Sequence, residues 1–324
     1  MGRSIQFTRK GLKILVINAK KGIFVVYTPS NHFLKGPRSM KKLMILFLVS
    51  TSVQAAPINI DHISLVNLSD FGKISAMTFG ITREQWSYKE TYNGNQLMKE
   101  SGPLYGVKGS LQIINGERWF LAPSLSYKMG TSKYEGALMN GTPLEMDSHN
   151  AILDGEVLLG KFIPIGSSSH YRSYLGLQYH SLTNKEDQNN PYDYDRFISQ
   201  YSLLVGLGFM SQTSSNLIWS MDITYFQLLQ GIVKTELSDA TPLLPNIVNQ
   251  QNKGKGGQFT FSLSVPYNQQ QNRIGVEGSY LYRHIEDSEP QYVSVPMENR
   301  SVSFSFEEPE NTTQSYALTF FLQF

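Results

Sequence analysis

The sequence predicts an all-β chain: an antiparallel up-and-down transmembrane β-barrel of about ten strands, with twelve as the alternative. Three observations predict it. Segment after segment alternates apolar and polar residues with a period of two. The connections between segments alternate between short and long, and large aromatics recur eight residues apart on the apolar faces. Period two marks a strand with one apolar face. Short turns at one rim and long loops at the other belong to a closed sheet set in a membrane, whereas a soluble sandwich has no reason to sort its loops.

Composition excludes the competing classes. Of 324 residues 40% are hydrophobic, and the mean hydropathy is −0.25. A bundle of membrane helices is ruled out, since each helix needs about 20 consecutive apolar residues. Cysteine is absent, so there is no disulfide framework and no thiolate metal site.

The N-terminal part reads as processing signals. From Met40 the chain runs MKKLMILFLVSTSVQAAP: Lys41 and Lys42, then 11 largely apolar residues from Leu43 to Val53, then the small-x-small pattern Val53-Gln54-Ala55. This predicts a secretory signal peptide over 40–55, cut after Ala55. Residues 1–39 hold eight Lys or Arg and no acid, and are read as an extension ahead of the true start at Met40. Residues 56–72 would be a periplasmic lead-in and 73–324 the barrel. Without those eight cations and Lys41 and Lys42, 18 of the 28 basic residues remain against 26 acidic ones, a formal charge of about −8. The isoelectric point near 8.5 therefore misleads. A nucleic-acid partner, which would need excess Lys and Arg, is not expected.

Ten segments follow in order. Met77, Phe79 and Ile81 mark the first, and Tyr105, Val107, Gly109, Leu111 and Ile113 the second. The third carries Trp119, Leu121, Leu125, Tyr127 and Met129. The fourth sets Ala151, Leu153, Val157 and Leu159 against Asp154 and Glu156, and the fifth Tyr171, Leu175, Leu177 and Tyr179 against Arg172 and Gln178. Phe197, Tyr201, Leu203, Val205, Leu207 and Phe209 form the sixth, and Trp219, Met221, Ile223 and Tyr225 the seventh. The eighth has Phe259, Phe261, Leu263, Val265 and Tyr267, and the ninth Ile274, Val276, Tyr280 and Tyr282. The tenth is YALTFFLQF, Tyr316 to Phe324, whose apolar face would be a sticky edge unless it met lipid and paired with the first strand.

Short connections are expected at Asn115–Arg118, Pro164–Ser169, Ser211–Ser215 and Asn268–Gln271. Long ones are expected at Glu90–Pro103, Gly136–Ser148, Thr183–Asp195, Leu229–Gly256 and Ile285–Thr313. The aromatic pairs Trp119/Tyr127, Tyr171/Tyr179, Tyr201/Phe209, Phe259/Tyr267 and Tyr316/Phe324 are each eight residues apart. At ~3.4 Å per residue and ~40° tilt, that spacing spans ~20 Å vertically, close to the separation of two interfacial girdles.

With its export signal and its closing YALTFFLQF, the chain resembles bacterial outer-membrane β-barrel proteins. The resemblance implies residence in a Gram-negative outer membrane, contact with its lipid and lipopolysaccharide, and delivery of the last strand to the barrel assembly machinery. Within that group the chain is loosely similar to stand-alone autotransporter-like barrels. That likeness favours twelve strands, with Tyr292–Val295 and Ser301–Phe306 supplying the extra hairpin or else forming the ends of long strands.

Function then falls to the lumen and the loops. The inward positions carry Lys108, Lys128, Asp154, Glu156, Arg172, His180, Asp222, Arg273, Glu277 and Arg283. Ten strands enclose a bore between the filled eight-stranded barrels and the open porins. These charges accordingly form either a salt-bridged polar plug or the lining of a small selective pore. A structural, surface-exposed barrel is the first expectation, and no enzyme activity is expected. One catalytic alternative comes from MDSHN and DYDR, which resemble the Asp-His and Asp-Asp pairs of omptin-type surface proteases. By that likeness His149 is the base, Asp147 orients it, and Asp193 and Asp195 position a water. The order of the two pairs is reversed relative to that family, and they lie on adjacent hairpins. KGKGG at Lys253–Gly257 lacks the strand–helix context of a phosphate loop and reads as a flexible loop. No cofactor is expected, and the extracellular ligand is unassigned.

Overall fold

The computed structural model describes residues 74–137, 141–186, 194–240, 244–269, 272–297 and 300–324. The extension, the signal peptide and the lead-in (1–39, 40–55 and 56–72) lie outside the described residues. So does Asp193.

The described chain is almost all strand: β1 (Ile74–Tyr92), β2 (Asn95–Ile114), β3 (Trp119–Ala137), β4 (Pro143–Pro164), β5 (Ser169–Glu186), β6 (Arg196–Gln212) and β7 (Ile218–Thr235). A short helix, α1 (Leu237–Ala240), follows. Then come β8 (Ile247–Gln251), β9 (Gly254–Pro266), β10 (Arg273–Ile285), β11 (Gln291–Met297), β12 (Arg300–Phe306) and β13 (Glu310–Gln323). Ten of these, β1–β7, β9, β10 and β13, pair antiparallel with their neighbours, and β13 pairs back onto β1 from Glu310↔Thr91 to Gln323↔Thr78. The sheet is closed, so the greasy terminal strand has no free edge. No helix among the described residues is long and apolar enough to cross a membrane.

The apolar faces point outward. Leu207, Ile223, Tyr316, Ile81 and Phe320 are exposed on the barrel wall, as are most of the alternating residues read from sequence. Aromatics gather at both ends of this belt. At one end Tyr171, Phe209 and Trp219 pack in series, with centroids 5.4 and 5.0 Å apart; at the other, Tyr179 meets Tyr201 at 5.1 Å and Tyr280 meets Tyr316 at 4.9 Å. Such girdles sit where an amphipathic ring has one side in hydrocarbon and one in water.

The turns at the Trp219 end are tight. Asn115, for example, accepts the Arg118 amide at 3.0 Å through its carbonyl, while its side-chain oxygen accepts the Glu117 and Trp119 amides. The opposite rim differs from expectation. The predicted long loop Glu90–Pro103 is instead the continuation of β1 and β2, joined by a two-residue turn at Asn93 (φ 51°) and Gly94 (φ 79°). Two successive left-handed residues match the right-handed twist of a hairpin. Likewise β3 and β4 run on to Ala137 and from Pro143, so most of Gly136–Ser148 is strand. The barrel therefore rises well above the aromatic belt.

The count of ten holds, and the twelve-stranded alternative does not. β11 and β12 pair only with each other, as a separate hairpin in the connection between β10 and β13, and are neither barrel strands nor strand ends. KGKGG is also corrected: Gly254–Gly257 belong to β9. A side chain at Gly256 would lie 2.1 Å from the Phe226 ring, and one at Gly254 2.4 Å from Ile285. These glycines make room for large inward neighbours.

Candidate functional site

The inward side chains stack in tiers along the bore. At the end with the tight turns, Phe120, Phe162 and Tyr174 fill the side formed by β3–β5, with Phe120 and Phe162 centroids 4.8 Å apart. The facing side, formed by β7, β9, β13, β1 and β2, is lined by hydroxyls and amides around a cavity of about 210 Å³.

Above this lies the charged tier, and its bonds run across the bore as well as along the wall. Lys108 on β2 meets Glu277 on β10 at 2.7 Å, past the two intervening strands. Lys128 on β3 reaches Glu84 on β1 at 2.7 Å and Asp154 on β4 at 3.3 Å, and Asp154 also holds His180 Nδ1 at 2.7 Å. Arg172 on β5 is bidentate to Asp222 on β7, its Nε donating at 2.6 Å. Glu156 accepts a 2.8 Å bond from the Gln178 amide. Arg283 on β10 crosses to the far wall, donating at 3.1 Å to Gln200 on β6 and to Gln178 on β5, and its guanidinium lies 5.1 Å from the centre of the Phe226 ring. A second cavity, of about 110 Å³, lies among these groups.

All the lumen charges read from sequence face inward, but Arg273 stands apart from the tier. It is at the tight-turn end, donating to Ser264 Oγ at 3.0 Å, to the Ser264 carbonyl at 2.8 Å and to the Asn216 carbonyl at 2.6 Å. It tethers a turn. Glu84 was missed because the first segment was read only to Ile81.

Above the charges an apolar tier narrows the bore, with Ser315 and Thr313 of β13 at the same height. Trp86, Tyr88, Met98, Leu104, Ile152, Leu182, Ile198 and Val233 form one buried cluster drawn from β1, β2, β4, β5, β6 and β7. Leu104 is fully buried and Trp86 is 2% exposed, although both stand inside a hollow barrel. Side chains from six of the ten barrel strands pack together here.

Two polar clusters lie over this floor, beyond the membrane belt. The Glu100 carboxylate accepts bonds from Ser132 (3.0 Å), Asn150 (3.1 Å) and Asn184 (2.7 Å), tying together β2 to β5. Burial pushes its carboxyl above the usual range, against the lowering effect of those donors and of Arg196. Arg196, the first residue of β6, pairs with Glu90 on β1 and with Glu308 from the last outer connection, and lies against Tyr88, whose hydroxyl donates to Glu90 at 2.9 Å. Burial works against the Arg196 charge, and Glu90 more than restores it, so its pKa is raised. Glu308 is held in turn, its amide donating to Ser288 Oγ at 2.8 Å and its carbonyl accepting the Ser288 amide at 2.9 Å. Sequence reading treated Glu90–Pro103 as loop and so missed this network. The available signal was a polarity inversion in β1: beyond Glu84, Trp86 and Tyr88 point inward while Arg83, Gln85 and Lys89 point out.

The described residues of the protease alternative, Asp147, His149 and Asp195, are on the outer wall. Asp147 and His149 project from β4 and are both exposed. Asp147 pairs with Lys133, and His149 Nδ1 shares a 3.0 Å bond with Thr131 Oγ1. Asp195 pairs with Lys185 at 3.2 Å. Among the described residues no three His, Asp or Glu side chains are placed to hold a metal ion.

No protein-family model matches the chain, and no curated protein matches it. Solved structures do. The outer-membrane protease OmpT from Escherichia coli aligns with a TM-score of 0.57 at 8% identity, over 78% of this chain and 96% of that one. The translocator domain of the autotransporter NalP from Neisseria meningitidis aligns at 9% identity over 78% and 90%, with a TM-score of 0.37. OprG from Pseudomonas aeruginosa aligns at 11% identity over 78% and 98%, with a TM-score of 0.33. The likeness to OmpT concerns the fold: this chain has the closed outer-membrane β-barrel architecture.

Proposed function

We propose that this chain is an integral protein of a Gram-negative outer membrane, exported by a cleaved signal peptide, whose lumen is sealed toward the cell exterior and whose raised outer rim is its working surface. The observation that carries this reading is the buried apolar tier around Trp86 and Leu104, which packs side chains from six of the ten strands inside the barrel. Water and ions need a continuous polar path, and a dry, close-packed layer interrupts it. The Arg196 clamp adds a second closure above that layer by joining β1 and β6, which are opposite each other in a ring of ten.

The outward aromatic girdles and the apolar belt support lipid contact, and the bare outer wall above them would meet lipopolysaccharide. The Tyr316–Phe324 strand, which closes the ring, is the segment offered to the barrel assembly machinery. Closure distinguishes this reading from a small selective pore. Purified protein in planar bilayers is expected to be silent, while Trp86→Gly combined with Leu104→Gly produces discrete conductance steps. Steps of similar size in the unaltered protein would favour the pore and overturn the closed barrel.

A further inference from the structure

The bore is closed on one side only, and its open half has a specific chemistry. The lining of the 210 Å³ cavity includes Ile218, the first residue of β7, and Gln323, the last of β13, so it reaches the rim with the tight turns. In an outer-membrane barrel that rim faces the periplasm. At its inner end the cavity meets Lys108 and Glu277, which part it from the 110 Å³ cavity of the charged tier, and the apolar tier lies beyond that. It is a blind well with room for roughly half a dozen waters at ~30 Å³ each.

Its four charged residues cancel. Lys108 is paired with Glu277 and Arg172 with Asp222, which leaves no net charge to recruit an ion. The rest of the polar wall is mainly Ser, Thr and Gln, donors and acceptors at once, such as the Ser220–Ser262 hydroxyl pair at 2.8 Å. One aromatic breaks this pattern. Phe321 is the inward residue between two outward ones, and its ring lies against Gly275, where a Cβ would come within 2.3 Å of it. Glycine leaves room for the ring, which lines the cavity. Hydroxyl and amide partners, neutralised charges and one aromatic ring in the lining together match a cyclic polyol: hydroxyls around the edge, C–H groups on the faces.

We propose that the lower lumen is a periplasm-facing binding well for a neutral, monosaccharide-sized ring, with Phe321 as its stacking platform and the Lys108–Glu277 and Arg172–Asp222 pairs as hydrogen-bonding partners. The proposal rests on the sealed, outer-membrane reading above, and the test separates the two. Because the chain has no cysteine, Ser262→Cys provides a single reporter. It is labelled with a biotin-maleimide too large for general porins, in intact cells and in spheroplasts, without and with D-glucose, N-acetylglucosamine or glycine betaine. The expected result is reaction in spheroplasts only, slowed several-fold by one of the sugars, with Phe321→Leu restoring the full rate while keeping the heat-modifiable gel shift of the folded barrel. Reaction in intact cells would overturn the sealed barrel itself. Reaction confined to spheroplasts but slowed by neither sugar, or slowed by betaine alone, would overturn the polyol well and leave the sealed barrel standing. If Phe321→Leu loses the shift, Phe321→Tyr, which keeps a ring face, serves as the second variant and must retain protection.

Discussion

Arg196 and Glu90 stand on strands half a ring apart, yet their side chains are bonded to each other at the outer mouth of the barrel. A single guanidinium thus ties the wall of β6 to the wall of β1, and through Glu308 it also pins the last outer connection across the opening.

Removing that cation leaves two buried carboxylates without a countercharge. Breaking a buried pair from one side costs about 3–5 kcal/mol. Arg196→Ala is therefore expected to lower the temperature of the heat-modifiability transition and to make the connection between β10 and β13 sensitive to protease added outside. The bilayer should stay silent, because the apolar tier is untouched. An unchanged transition together with a protected connection would show that the clamp contributes nothing.

Arg172 and Asp222 give a cleaner cycle, since neither has a second ionic partner among the described residues. Either single change, Arg172→Met or Asp222→Leu, is expected to destabilise by about 3–5 kcal/mol, and the double change by much less than the sum. Urea unfolding in detergent measures all three. Strict additivity would mean that the two groups do not interact.

Gly206 lies beneath the Tyr174 ring, where a Cβ would come within 2.1 Å of it. Gly206→Ala should push that ring out of its contact with Phe120 and cost about 1–3 kcal/mol by overpacking. Tyr174→Phe in the same background keeps the ring and should not relieve the loss, whereas Tyr174→Ala should. Relief by neither would place the strain elsewhere.

Glu100 sets a pH dependence. Its carboxyl is raised by burial in the folded state, so the native protein binds that proton more tightly than the unfolded chain. The stability it contributes is therefore highest at low pH and falls as pH rises from the unfolded carboxyl value to the raised native one. Relative to Glu100→Gln, the unaltered protein should lose stability across that window and run parallel to the variant outside it. Unfolding midpoints measured over an acid-to-neutral series check this, and a difference that stays constant throughout would contradict it.

The wall of this barrel was legible from sequence, and its interior only partly so. Outward positions such as Phe259 or Leu318 announce themselves because lipid demands an unbroken apolar alternation. The Asp154 and Arg172 positions follow as their inward neighbours. Above the belt, water is outside and the packed bore inside, so the alternation reverses: Trp86 and Leu104 turn in while Lys89 and Lys99 turn out. A reading tuned to apolar-out strands stops at Ile81, leaving Glu84 unassigned, and treats Glu90–Pro103 as loop, losing Glu90 and Glu100 with it. The partners of Arg196 are more than a hundred residues away in sequence, and only closure of the ring brings them together.

The most direct test of the account is the migration of the chain from outer-membrane fractions on a gel, unheated and boiled. The account predicts a membrane-bound product, shortened by removal of its signal, that runs compactly when unheated and shifts to its full unfolded size on boiling. Strands whose outward side chains stand in hydrocarbon resist detergent until they are heated. Recovery of the processed chain as a dissolved periplasmic species, with no shift between the two lanes, would contradict it.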